Sequence, residues 1–275
     1  KRDKMFLVET DWLEKNLDYV KIIDCSWHMP QTNRNGYEEY KRNHIPKSIF
    51  FDLDKNSKKE TNLPHMLVSF DKWEKIVSEM GIDNNDQIII YDNSDVISAC
   101  RCWYNFIYFG HKPELIKVLN GGFKKWVNEN KVTDNVIPKV VKTKYRANEL
   151  ANLVKNKKEI DENIIEKQFD VIDARSVERF RGEAKEPREG LRSGNIKNSS
   201  CIPFNVLINP DKTFKSKKEI AEIFSKNLKD ISSNTVVFSC GSGVTACVLA
   251  LAYSLINDKY LPKIYDGSWA EYGKI

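Results

Sequence analysis

Short β-branched runs alternate along this chain with stretches whose apolar residues recur three and four apart, the two periods that mark strands and amphipathic helices. "KIIDCSW" at 21–27, "QIIIYD" at 87–92, "DVIDARS" at 170–176 and "NTVVF" at 234–238 read as strands that run into turns. "SFDKWEKIVSEMGI" at 69–82 and "SKKEIAEIFSKNL" at 216–228 read as helices with one apolar face. "MGIDNNDQ" and "LKDISSNT" supply the turns leading into the next strand, and "ACVLALAYSLI" at 246–256 is a plain apolar helix. Strands joined through helices lie parallel, so the pattern predicts an α/β fold in which a mainly parallel sheet is flanked by helices.

The pattern occurs twice. "KIIDCSW" is matched by "DVIDARS", "NHIPKSIFFDL" at 43–53 by "GNIKNSSCIPF" at 194–204, "QIIIYDNSDVISAC" at 87–100 by "NTVVFSCGSGVTAC" at 234–247, and "VLNGGFKKW" at 118–126 by "IYDGSWAEY" at 264–272. The four matches keep their order, and the offsets from Asp24 to Asp173, Asp92 to Cys240 and Asn120 to Asp266 stay between 146 and 149 residues. Two tandem domains of one kind follow. The polar, proline-containing stretch 129–150 has no long helical period, which places one domain at 1–135, a linker at 136–149 and the second domain at 150–275.

Composition narrows the function classes. With 41% hydrophobic and 30% charged residues in 275, this is ordinary globular material, and no apolar run reaches the ~18 residues of a membrane helix. The net charge of +5 comes from Lys and Arg scattered among Asp and Glu, a solvated surface rather than a nucleic-acid stripe. The six cysteines, at 25, 100, 102, 201, 240 and 247, occur in a long chain without a secretory pattern and are expected to be reduced thiols. Cys100 and Cys102 lack a second ligand pair at zinc spacing, so no metal is expected. The start "KRDKMFL" reads as a trimmed or tagged end, where a removed targeting peptide would leave no trace. Cytoplasm is the default expectation for a thiol-dependent chain, with an organelle left open.

The chemistry concentrates where the strand "NTVVF" gives way to the apolar helix, through Cys240-Gly241-Ser242-Gly243-Val244-Thr245. Strand-to-helix junctions are where parallel α/β sheets bind ligands. Two glycines allow successive N–H groups to converge on one centre, and the helix N-terminus adds partial positive charge. A thiol there is expected to act as a thiolate nucleophile. The first copy has Asp92 at this place and is expected to be silent. Phosphatase chemistry needs an arginine at the sixth position after the cysteine to clamp phosphoryl oxygens, and that position is Ala246.

With this loop, "NHIP", "GEAKEPREG" and the terminal "YDGSW", nearly the whole chain resembles the two-domain sulfurtransferases of the rhodanese superfamily, and "CGSGVTA" looks like the loop of the 3-mercaptopyruvate sulfurtransferases. The resemblance implies sulfur transfer from 3-mercaptopyruvate through a Cys240 persulfide to a thiol, cyanide or thioredoxin-like acceptor, with release of pyruvate and no cofactor. It carries substrate binding onto Arg179 in "RFRG" and Arg188 in "EPREG", with Gly241, Gly243, Val244 and Thr245 forming the cradle. Ser242 and His44 would relay a proton. Arg175, Arg181 and Arg192 are expected to be surface charges, His65 in "PHML" structural, and Asp266 and Trp269 shapers of the last turn. Arg101 is a further first-domain candidate. Asn195 and Lys197, in place of the usual His and Pro, are expected to loosen their turn. Thiosulfate sulfurtransferases carry cationic residues just after the cysteine, and Ser242 argues against that donor. A non-catalytic rhodanese-type module would be expected to have a broken loop in both copies.

Overall fold

The computed structural model describes residues 6–275; the start "KRDKM", part of the end read above as trimmed, lies outside the described residues. The chain forms two compact units.

In the first unit β1 (Leu7–Val8), β2 (Lys21–Asp24), β3 (Ile49–Phe50), β4 (Ile88–Tyr91) and β5 (Ile116–Leu119) form one sheet in the order β1-β5-β4-β2-β3, every pairing parallel. Helices α1 (Thr10–Asn16), α2 (Gly36–Arg42), α3 (Phe70–Glu79), α4 (Ala99–Tyr108) and α5 (Gly122–Asn128) make the connections. The strands β2 and β4 read as continuous apolar runs because both faces are covered. Ile88, Ile89 and Ile90 are all fully buried, each contributing about 1.5–3 kcal/mol of transfer free energy. One side of the core gathers Val8, Leu13, Ile22, Ile45, Ile89, Tyr91, Leu119 and Trp126.

The second unit repeats the plan. Strands β6 (Val154–Lys155), β7 (Asp170–Asp173), β8 (Ser200–Cys201), β9 (Val236–Ser239) and β10 (Ile264–Tyr265) are ordered β6-β10-β9-β7-β8, again all parallel. Helices α6 (Lys157–Glu166), α7 (Val177–Phe180), α8 (Lys217–Ser225), α9 (Ala246–Ile256) and α10 (Ser268–Tyr272) accompany them. Substituting each strand by its partner five places on converts one order into the other, so the sequence repeat is a structural repeat. Helix α8 begins where the hydroxyl of Ser216 accepts the Glu219 N–H and the Glu219 carboxylate accepts the Ser216 N–H, satisfying two N–H groups that the first turn leaves open. Helix α9 has no polar stripe and is buried from Ala246 to Ser254.

The unit boundaries differ from the sequence reading. The first unit holds residues through Ser57, Val68–Leu150 and Pro210–Thr213, and the second holds Lys58–Leu67, Ala151–Asn209 and Phe214–Ile275. The expected linker 136–149 belongs to the first unit. There the Tyr145 hydroxyl lies 2.8 Å from His111 Nδ1, the Tyr145 N–H donates to Ser78 Oγ at 3.0 Å, and the Asn148 N–H donates to Phe109 O at 2.9 Å. An extended strap held by its backbone has no period to reveal it.

Candidate active site

Strand β9 ends at Ser239 and delivers Cys240, 1% exposed, to the mouth of α9. Gly243 takes φ = 83°, a left-handed conformation that a side chain would disfavour, and its N–H donates to Cys240 Sγ at 3.1 Å. The Cys247 thiol, one turn into α9, donates to Gly243 O at 3.3 Å and holds this corner from behind. The turn after β10 fastens the other side. The Cys240 N–H donates to Ser268 Oγ at 3.1 Å, and Cys240 O and Gly241 O accept from the N–H groups of Trp269 and Ala270, each at 2.9 Å.

Gly241 is where the arginines converge. A Cβ built at Gly241 would stand 3.2 Å from Arg179 Nη2 and 3.3 Å from Arg188 Nη1, so two guanidinium groups flank the residue beside the thiol. Arg179 is half-buried and held in a fork: its Nε donates to Glu186 Oε2 at 2.9 Å and its Nη2 to Glu186 Oε1 at 2.8 Å. Burial works against its charge, and the Glu186 carboxylate outweighs that cost, leaving the guanidinium above its ordinary pKa. Of its five N–H donors, two are spent on Glu186 and the others are free of it.

Ser242, 5% exposed, has its hydroxyl 3.0 Å from His65 Nδ1. His65 belongs to the second unit by way of the segment Lys58–Leu67, which Asp266 holds by accepting the Leu67 N–H on Oδ2 at 2.8 Å. His65 itself sits at φ = 60° and is 4% exposed. Side chains rarely adopt that backbone region, and histidine is among those that enter it most readily.

The geometry brings together Cys240, Gly241, Ser242, Gly243, Arg179 and Arg188, with Val244 buried behind the loop and Thr245 at the N-cap of α9. His44 is engaged within the first unit. His44 is fully buried in the first unit, its Nδ1 2.7 Å from Tyr40 O, its Nε2 2.7 Å from Val136 O and 3.3 Å from Asp134 Oδ1, and its ring stacks on Tyr40. Both ring nitrogens are committed to their own unit, and His65 stands at Ser242 instead. Arg175 also departs from expectation. It is 2% exposed, bonds Asp173 through Nε and Nη2, and lies 3.3 Å from the same Glu186 that orients Arg179. Arg181 and Arg192 are exposed, although Arg192 lies over the Trp269 ring. Arg101 is fully buried in α4, its Nε donating to Asn105 Oδ1 at 3.0 Å.

Sequence reasoning assigned His65 to structure and Arg175 to the surface, and did not single out Glu186. "PHML" lies on a loop without periodicity, so nothing local marks its histidine. The acids between the arginines of "RFRGEAKEPREG" announce ion pairing but not which carboxylate does it.

The first copy has a carboxylate, not a thiol, at the corresponding corner. Asp92, placed as Cys240 is in the second, accepts the Ser94 N–H on Oδ1 and the Ala99 N–H on Oδ2, both at 2.9 Å, so the loop is filled by its own carboxylate. Burial pushes Asp92 up to about 6 against those two bonds. Among the described residues no group of three or more His, Cys, Asp or Glu side chains is placed to hold a metal ion, and no helix is long and apolar enough to cross a membrane.

Comparison with known proteins adds the kinship. A family described as "Rhodanese-like domain" matches residues 9–129 and again 156–274. The thiosulfate/3-mercaptopyruvate sulfurtransferase 1, mitochondrial, of Arabidopsis thaliana is 37% identical, the match covering 97% of this chain and 75% of the plant protein. The 3-mercaptopyruvate sulfurtransferase of Homo sapiens is 33% identical over 97% of this chain and 91% of its own length. The crystal structure of SseA from Escherichia coli, described as a 3-mercaptopyruvate sulfotransferase, superposes with a TM-score of 0.86 at 29% identity, covering 96% of this chain and 99% of that one.

Proposed function

Because this chain belongs to the rhodanese family, we propose that it is an enzyme that takes sulfur from 3-mercaptopyruvate, holds it as a persulfide on Cys240 and passes it to an acceptor thiol. The observation that carries the reading is the Gly241 corner, where a thiol sulfur that accepts a backbone N–H has two guanidinium groups beside it. Relatives named for mercaptopyruvate support the same donor.

The donor is an α-keto carboxylate, whose two sets of oxygens suit planar forked donors. Arg179 and Arg188 take the carboxylate and the adjacent carbonyl oxygen, and with them fix the thiol carbon near Cys240. The Cys240 thiolate attacks the donor sulfur, an S–S bond forms, and the C–S bond breaks with its electron pair going to carbon as the enolate of pyruvate. The proton leaving the donor thiol reaches that carbon through the Ser242–His65 pair, so one proton moves and charge is conserved. The Gly243 N–H and the N-terminus of α9 hold negative charge on sulfur, and the arginines hold it on the enolate oxygen. An acceptor thiolate then attacks the outer sulfur and restores Cys240. Thiosulfate is the poorer donor in this reading, because residues 241–246 offer no cation to a second sulfonate-type charge.

The test measures sulfur transfer to a common thiol acceptor from 3-mercaptopyruvate and from thiosulfate separately, with Cys240→Ser as the blank. The expected result is a kcat/KM favouring mercaptopyruvate, pyruvate formed in step with sulfur transferred, and a gain of about 32 Da on the Cys240 peptide after donor alone. Turnover by the Cys240→Ser variant would refute the assignment; a preference for thiosulfate would keep the nucleophile and change the donor.

A further inference from the structure

The repeat provides an internal control: contacts present in both copies belong to the fold, and contacts present only around the thiol are candidates for chemistry. The turn after β5 corresponds to the turn after β10, with Asn120, Gly121, Gly122 and Phe123 matching Asp266, Gly267, Ser268 and Trp269. One contact is shared. The Phe123 N–H donates to Asp92 O at 2.9 Å, as the Trp269 N–H donates to Cys240 O at 2.9 Å. Beyond the backbone bond from the Ala270 N–H to Gly241 O, the second turn makes two side-chain contacts at the site. Ser268 Oγ accepts the Cys240 N–H at 3.1 Å, where Gly122 has no side chain to offer, and Asp266 Oδ2 accepts the Leu67 N–H at 2.8 Å, two residues from His65. In the first copy the Asn120 side chain donates an N–H to Glu9 Oε1 at 3.1 Å.

Ser268 makes this contact from an uncommon backbone conformation. It sits at φ = 50°, where its counterpart Gly122 sits at φ = 60°. Glycine adopts that region freely and serine does not, so the hydroxyl is kept against the backbone preference. Ser268 is fully buried, and its Oγ also donates to Tyr265 O at 2.9 Å, which leaves the oxygen directed at Cys240.

We propose that Asp266 and Ser268 are positioning residues for sulfur transfer: one five-residue turn fixes the Cys240 backbone through Ser268 and the His65-bearing segment through Asp266, and so sets thiol and proton carrier in register. The proposal rests on the sulfurtransferase reading above. The turn is rigid because it is also nailed to the loop by the Trp269 and Ala270 N–H groups, both bonds independent of side-chain identity. Removing Asp266 therefore removes one anchor of the Lys58–Leu67 segment, two residues from His65, without undoing the Cys240 loop. Misplacing a reacting partner by about 1 Å can cost up to about a hundredfold in rate.

The experiment is single-turnover persulfide formation on the full chain with 3-mercaptopyruvate, alongside thermal unfolding, for wild type, Asp266→Ala, Asp266→Asn, Ser268→Gly, His65→Gln and the double variant Asp266→Ala/His65→Gln. Asp266→Ala should slow the step about tenfold or more. Asp266→Asn keeps an oxygen acceptor for the Leu67 N–H and should recover most of that loss. In the His65→Gln background, Asp266→Ala should cost nothing further, because the residue acts through His65. Ser268→Gly installs the residue of the silent copy and should slow the step severalfold without lowering the unfolding midpoint. Equal rates for wild type and Asp266→Ala, or an undiminished effect of Asp266→Ala when His65 is already absent, would overturn the role of Asp266, and a wild-type rate in Ser268→Gly would overturn that of Ser268. If wild type itself forms no persulfide from mercaptopyruvate, it is the sulfurtransferase reading that fails.

Discussion

Gly241→Ala tests the reading of the site with one methyl group. The added carbon would stand 3.2 Å from Arg179 Nη2 and 3.3 Å from Arg188 Nη1, inside the 3.4 Å at which ordinary contact begins, so each guanidinium must give by a few tenths of an ångström. Arg179 cannot yield freely, since its two bonds to Glu186, at 2.9 and 2.8 Å, pin it from behind. The backbone is no obstacle, because Gly241 is outside the left-handed region. The substitution should therefore leave the unfolding midpoint within about 2 °C of wild type. A misaligned bond between a guanidinium and the donor carboxylate forfeits about 1.5–3 kcal/mol, which corresponds to a fall in kcat/KM of roughly ten- to a hundredfold. Most of the fall should appear in KM for 3-mercaptopyruvate, since the carboxylate is held in both ground and transition states. Steady-state kinetics with a thiol acceptor, paired with a thermal melt, gives both numbers. An unchanged kcat/KM would mean that the donor does not occupy the Gly241 corner, and a midpoint lowered by many degrees would mean that Gly241 serves the fold.

The two histidines should separate cleanly: His65→Gln is expected to lower kcat with little effect on stability, whereas His44→Gln, which disturbs two 2.7 Å contacts from a buried ring to backbone carbonyl oxygens, should cost roughly 1–3 kcal/mol in urea denaturation with kcat of the folded enzyme retained. The reverse pattern would restore His44 to the chemistry. Asp24 predicts a pH dependence: burial pushes its carboxyl up to about 7 against the pull of Ser26, with Asp92 raising it further. The folded state thus binds this proton more tightly than the unfolded chain, whose carboxyl titrates near about 4, so the associated stability is complete below about pH 4 and is lost as pH rises through about 7. Asp24→Asn should accordingly be more stable than wild type at pH 8, with the advantage shrinking toward pH 4, as read from denaturation midpoints across that range; an advantage that grows on acidification contradicts the sign.

The local order of the chain and the loop around Cys240 were legible in the sequence. Isoleucine runs such as 88–90 announce strands covered on both faces, the doubled order of strand, turn and helix announces two copies of one sheet, and a cysteine followed by Gly-Ser-Gly before an apolar helix announces an anion-holding loop. The arginines Arg179 and Arg188 were marked by resemblance, and Asp92 was legible as the residue standing where the second copy has Cys240. These features share a cause: they are set by residues near one another along the chain, where backbone freedom, side-chain period and helix ends act locally. Only the tertiary structure decided which histidine meets Ser242, which carboxylate orients Arg179, to which unit the strap 136–149 belongs, and that Asp266 and Ser268 reach back to Leu67 and Cys240. His65 and Ser242 lie 177 residues apart, and a 3.0 Å hydrogen bond across that separation is fixed by how sheets, turns and loops close on one another, which no local preference encodes.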